Sequence, residues 1–210
     1  MPEQIEVFDL EGEFIKVEDR DKFYKEIKAE YSKNKKITKK VKTIRLLLLN
    51  SKGRIVIQRR NFTKEENPGL YDKTIGGHVQ EGESYHITLV RECAEELGFP
   101  VSVLSSGEFD FASKHTDLNI VGIFKQLDYI SQFDSVRFTK TGKKFVQPYM
   151  TTIYIGYYDG SIQFIDGESS GIQLYTVEEL KKAIKANPND YTEDLKFMIK
   201  KYEKFLKPIK

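Results

Sequence analysis

Hydrophobic and polar positions divide the 210 residues into short runs of two periods. Residues 41–49 and 54–59 are dense in Val, Ile and Leu and read as two strands joined by the turn Asn50-Ser51-Lys52-Gly53. Upstream, residues 5–17 read as a small hairpin turning at Glu11-Gly12. Residues 21–31 read as a short helix with Phe23, Tyr24 and Ile27 on one side. Further on, Val90, Cys93, Ala94 and Leu97 recur at i, i+3, i+4 and i+7, the stripe of a helix anchored by one face, with Ser84 as N-cap and Gly98 as stop. Residues 101–103 and 108–111 read as extended. Ile120, Ile123, Phe124, Leu127 and Ile130 share a rough helical stripe, which predicts an inserted helix over 117–131. Residues 136–138 and 145–147 flank Thr141-Gly142 as a hairpin, and 151–158 has the character of a buried strand. Two capping boxes, Thr176 with Glu179 and Asp190 with Glu193, open two last helices, the second turning Leu195, Met198, Ile199, Tyr202 and Leu206 inward.

Strands interspersed with a few helices predict an α/β (α+β) chain, a mixed sheet sandwiched between helices. The expected division is a hairpin and helix extension over 1–36 and a main domain over 37–210 with an inserted segment near 112–147.

Composition narrows the class without choosing the chemistry. At 39% hydrophobic and 31% charged residues the chain reads as globular, and its net charge of +2 gives no general reason to expect a nucleic-acid partner. The lysines at 33, 35, 36, 39, 40 and 42 read as a solvated linker and edge strand. Cys93 is the one cysteine, so no internal disulfide forms, and a reducing cytoplasm is the expected compartment. The longest apolar run, Leu46 to Leu49, is far too short to span a bilayer, and the acids among the first residues argue against a secretory signal.

The chemistry concentrates on the helix near residue 92. On an ideal helix Glu92, Glu95 and Glu96 crowd one narrow face. Such acids repel one another unless a hard divalent cation sits among them, and carboxylate oxygens suit Mg2+. Arg91 stands beside them and can reach back to Glu83, fixing the helix against the loop that enters it. The competing reading is a solvated acidic face on an ordinary surface helix.

What decides between them is a motif. Gly77, Glu83, Arg91, Glu92, Cys93, Glu95, Glu96, Gly98 and Phe99 fill every specified position of a pattern that resembles the Nudix hydrolase signature. That pattern is Gly, five residues, Glu, seven residues, then Arg-Glu-apolar-x-Glu-Glu-x-Gly-apolar. The resemblance implies a Nudix-type α/β/α sandwich whose loop-helix-loop binds Mg2+ or Mn2+ and hydrolyses a diphosphate joined to another group. By the same resemblance Glu92, Glu95 and Glu96 are metal ligands, the Gly77 carbonyl is a further contact, and Arg91 belongs to the catalytic set. The attacking water is deprotonated or oriented by one of these acids or by a carboxylate from elsewhere. Glu168, in the loop before a late strand, is the first candidate for that role and Glu108 its rival.

Residues 58–72, continuing into Gly76-Gly77-His78-Val79, resemble the isopentenyl-diphosphate isomerase branch of the superfamily. In that branch an Arg and a Lys at the spacing of Arg60 and Lys64 hold the substrate diphosphate; a solvated loop is the plainer reading. Two departures argue against isomerisation. Gly76 stands where the isomerases need a cysteine, and residues 1–71 contain no histidine, leaving His78 alone of the expected imidazole ligands. Lys114 replaces a proline that tags other subgroups. Gly167-Glu168-Ser169-Ser170-Gly171 fits a serine-hydrolase elbow by pattern, but strand-like residues follow it. Arg137, Lys140, Lys143 and Lys144 read as a solvated hairpin tip, with contact to a substrate phosphate as the alternative. Phe133, Phe138, Phe145 and Tyr149 read as core before base-stacking. The reading favoured is a Mg2+-dependent hydrolase of a nucleoside-diphosphate-like or other organic diphosphate. The alternatives are an isomerase-like enzyme and a non-catalytic nucleotide-binding sensor. The expected partner is a small diphosphate, without membrane or specific nucleic acid, in an assembly that admits a homodimer.

Overall fold

Nine strands form one mixed sheet built around β3 (Lys39–Leu49), in a computed structural model that describes residues 2–164 and 167–209. β3 runs parallel to β8 (Lys144–Tyr157) and antiparallel to β1 (Gln4–Asp9), and touches β4 (Ile55–Arg60) at its end. The order continues outward through β1 to β2 (Phe14–Asp19) on one side and through β8 to β7 (Gly122–Phe138) and β6 (Val101–Val103) on the other. β4 also pairs with β5 (Tyr71–Asp72) and β9 (Ser169–Tyr175).

Strand alternation sends β3 side chains into opposite layers. Leu47 and Leu49 meet α4 (Val177–Ala186) and α5 (Glu193–Tyr202) through Leu180, Leu195, Met198 and Ile199. Ile44, Leu46 and Leu48 meet Leu89, Cys93 and Leu97 on the other face. This is the expected sandwich. The N-terminal hairpin confirms its Gly12 turn (φ 99°), and α1 (Arg20–Asn34) packs Phe23 and Ile27 with Ile5, Val7, Val41, Phe133 and Tyr149 in a third cluster.

Several expectations fail, each for a physical reason. The helix expected over 117–131 is absent: β7 occupies most of that stretch, and its register against β8 shifts between Gln126 and Asp128 and again between Ile130 and Phe133. Each bulge inserts residues that break strict alternation, so the apolar positions imitate a helical stripe. Residues 108–111 are not extended but lie in α3 (Ser106–His115), where Glu108 closes a capping box with Ser105. The C-terminal helix starts from Thr192, not Asp190; the Thr192 hydroxyl accepts from Leu195 N and donates to Asp72. The lysine run ends inside central β3 rather than on an edge. Lys40 is buried there, its ammonium donating to the Leu10 and Ser131 carbonyls at 2.7 and 3.0 Å. No helix among the described residues is long and apolar enough to cross a membrane.

Candidate active site

The signature helix is α2 (Tyr85–Glu92), capped by Ser84 and continued by one wider π turn over Cys93–Leu97, where Gly98 N donates to Cys93 O at 3.0 Å. That turn changes which residues face inward. The expected buried stripe included Val90 and Ala94; both are exposed, Val90 by 43%. Leu89, Cys93 and Leu97 are the buried apolar residues, and Glu92 and Glu96 are buried alongside them. The three acids therefore do not share one solvated face: Glu92 and Glu96 turn inward while the Glu95 side chain is 58% exposed.

A strand-like segment over 75–80 receives the inward acids. It runs along β3, with Leu46 N donating to Ile75 O at 3.1 Å and Ile44 N to Gly77 O at 2.9 Å. The Gly77 carbonyl, proposed as a metal contact, thus already accepts one hydrogen bond and keeps a second lone pair. Glu92 lies directly on the Gly77 backbone, and a Cβ at 77 would overlap its carboxylate. Gly77→Ala is expected to displace Glu92 and lower metal-dependent turnover about 10–100-fold, with cooperative unfolding retained, as steady-state assays and thermal melts will show.

Arg91 ties this assembly together. Its guanidinium donates to Glu83 at 2.8 and 3.1 Å, to Glu92 and Glu95 at 3.0 Å each, and to the His78 carbonyl at 3.0 Å. Glu83 also accepts from Thr88 Oγ1 at 2.7 Å and from Gln80 N at 3.2 Å. Burial favours protonated Glu83, but these donors outweigh it and hold its carboxyl below the usual range. Its acceptor sites are occupied, which makes it a brace for the loop.

Glu92 is shifted the other way. Burial raises its carboxyl pKa, only partly offset by Arg91, and the neighbouring Glu95 charge adds to the rise. Glu96 is close enough to hydrogen-bond it, an arrangement of two carboxylates that calls for a shared proton or a cation. Two buried oxygen ligands beside a carbonyl fit a hard divalent ion. Among the described residues no three acids or imidazoles are already gathered at ligating distance, since Glu95 is held by Arg91.

Two adjoining recesses collect the remaining candidates. The smaller, about 260 Å3, is lined by Arg91, Glu92 and Glu95; the larger, about 300 Å3, by Arg60 and Lys64. Gly77, Glu96 and Glu168 line both. Arg60 donates to the Glu66 carbonyl at 3.1 and 2.9 Å, and Lys64 pairs with Glu168. Glu108 is spent on the α3 cap and lines neither recess, whereas Glu168 lines both.

Sequence reasoning missed part of the larger recess. Arg20, Tyr24 and Lys28 come from α1, read as an extension, and Arg45, Lys73 and Arg137 come from β3, the segment after β5, and β7. Arg45 was detectable as a charge set directly against the apolar run Leu46–Leu49. Arg137 belongs to the recess and not to a solvated hairpin tip. Tyr24 Oη lies 2.6 Å from His78 Nε2 and 3.0 Å from Tyr149 Oη. Burial, reinforced by the surrounding arginines, pushes the His78 pKa well down and keeps the imidazole neutral.

A model of the NUDIX domain matches residues 39–195. The chain belongs to the NUDIX family. It is similar to an uncharacterized Nudix hydrolase of Pseudomonas aeruginosa, 45% identical over 67 residues, which is 31% of this chain and 40% of that protein. It is also similar to the isopentenyl-diphosphate Delta-isomerase of Escherichia coli, 36% identical over 72 residues, 34% of this chain and 40% of the isomerase. The chain thus spans about two fifths of the length of these curated relatives. Among solved structures, the DR0079 protein of Deinococcus radiodurans superposes with a TM-score of 0.62 at 20% identity, over 94% of this chain and 98% of that one. A MutT protein of Methanosarcina mazei gives 0.51 at 17% identity, over 78% and 93%. These likenesses establish the Nudix fold.

Proposed function

We propose that this Nudix protein is a hydrolase that uses Mg2+ or Mn2+ to cleave a diphosphate linkage in an organic diphosphate. The observation that carries the reading is the seating of the Glu92 carboxylate on the Gly77 backbone with Glu96 beside it, next to a cation-lined recess. Glu92, Glu96 and the Gly77 carbonyl would hold the metal, joined by Glu95 once it rotates away from Arg91. When bound, the metal neutralises diphosphate charge and lowers the pKa of water. Arg91 keeps Glu92 and Glu83 oriented. Glu168 orients or deprotonates the attacking water, and Arg60 and Lys64 hold phosphate oxygens of the substrate.

Isomerisation gains nothing from the geometry. Residue 76 is a glycine and brings no group that could give or take a proton where the isomerases need a cysteine. The test is a panel of nucleoside triphosphates, nucleotide sugars, dinucleotide polyphosphates and prenyl diphosphates assayed with Mg2+ and Mn2+ by 31P NMR. Chelator-sensitive cleavage of at least one diphosphate is expected. Conversion of isopentenyl diphosphate to its allylic isomer, or no cleavage across the panel, would overturn the reading.

A further inference from the structure

Seven Lys or Arg and six Asp or Glu line the larger recess, and its imbalance of charge is local. Four cations, Arg45, Arg60, Lys73 and Arg137, share two carboxylates, Asp72 and Asp194. The sharing is uneven. Arg45 lies 3.1 Å from Asp194 and Lys73 3.2 Å from Asp72, whereas Arg60 stands 3.6 Å from Asp72 and Arg137 3.9 Å from Asp194. The nearby Glu66 pairs with Lys28 at 3.1 Å.

Arg45 is fully used, donating to Asp194, Thr43 and Thr151. Arg137 is not. Its side chain is only 13% exposed, its Nε is buried without a hydrogen-bond partner, and it sits over the Tyr149 ring at 5.7 Å, which limits its orientations. Burying cations beyond their counter-charge is costly, and a guanidinium with free donors in a recess is what a phosphate dianion completes. These four cations line the larger recess and not the smaller one that holds Glu92 and Glu95. The larger recess is also small for a ligand pocket. Its aromatic rings are already engaged: Arg45 and Arg137 sit over Tyr149 at 5.1 and 5.7 Å, Arg20 over Tyr24 at 5.9 Å, and Tyr24 stands edge-on to His78 at 82°.

We infer that this floor is a second anion site, where Arg137, with Lys73, seats a phosphate group of the substrate other than the diphosphate that is cleaved. The substrate is then a compact diphosphate bearing an additional phosphomonoester. The hydrolase reading enters this inference only in identifying the bound molecule as substrate.

Inorganic phosphate titrated into the metal-free protein, with chelator present and thermal unfolding as readout, tests the site apart from turnover. Phosphate is expected to raise the melting temperature of the wild type and of Glu92→Gln alike. Arg137→Gln is expected to need at least about tenfold more phosphate for the same rise, with Arg137→Lys intermediate and both variants melting cooperatively. No rise in the wild type, an undiminished rise in Arg137→Gln, or a rise lost in Glu92→Gln would overturn the assignment. A second arm compares two diphosphates that differ only in a distal phosphomonoester. The extra phosphate should lower KM at least about tenfold in the wild type and not in Arg137→Gln; equal wild-type values would mean that the floor holds the diphosphate itself. Absence of all turnover would refute the hydrolase reading and leave the phosphate titration standing.

Discussion

Glu92→Gln and Glu96→Gln are each expected to lower metal-dependent turnover by about 10²- to 10⁴-fold while leaving a cooperative fold. Both carboxylates are buried at the flank of the signature helix, and that of Glu92 rests on Gly77. The amide keeps the shape and removes the charge that would hold a divalent cation. Binding should fall with activity, so Mn2+ titration by electron paramagnetic resonance separates lost metal from lost chemistry. Glu95→Gln is the informative companion. Its carboxylate is exposed and paired with Arg91, and a loss as large as that of Glu96→Gln would show that it swings inward in the working state. Turnover within a few-fold of wild type in both inward variants would remove the proposed metal site.

The largest effect on stability is expected from Asp194→Asn, about 3–5 kcal/mol, or a fall in Tm of roughly 6–20 °C for a chain of this size. Asp194 is buried, accepts from Arg45 Nε and Nη2 at 3.2 and 3.1 Å and from Ser135 Oγ at 2.7 Å, and faces Lys73 and Arg137 at 3.9 Å. An amide cannot balance a cluster already in cationic excess. The pH dependence follows in sign. Burial alone would raise the Asp194 carboxyl, but Arg45, Arg137 and Lys73 outweigh it and depress it below its ordinary 3.8. A depressed carboxylate stabilises the fold fully above its unfolded value and loses that contribution as pH falls through the folded one. The gap between wild type and Asp194→Asn in urea melts should therefore be constant near neutrality and close below about pH 4. A gap that widens in acid would contradict the ion-pair account.

Much of the site was legible because its residues are local. Gly77, Glu83, Arg91, Glu92, Glu95 and Glu96 lie within one loop and one helix, and spacing alone puts them within reach of one another. Their division was not legible. A single π turn sends Glu92 and Glu96 inward with Leu89, Cys93 and Leu97 and leaves Val90 and Glu95 outside, and no periodicity count at 3.6 residues per turn contains that shift. The bulged strand β7 misled for a related reason, since its register is set by β8 and not by its own pattern.

From the sequence alone came the loop-helix-loop, the helix caps at Ser84 and Thr176, the strand at β3 and the expectation of an oxygen-ligand metal centre. Each depends on contacts between residues a few positions apart. The tertiary structure alone decided the cationic floor, because Arg45, Lys73, Arg137 and Asp194 come from four separate segments and meet only when β3, β7 and α5 pack together. It also brought α1 over the recess, so that Arg20, Tyr24 and Lys28 line the place where a substrate would bind. Charges far apart in sequence carry no signal of their pairing until burial makes leaving them unpaired too costly.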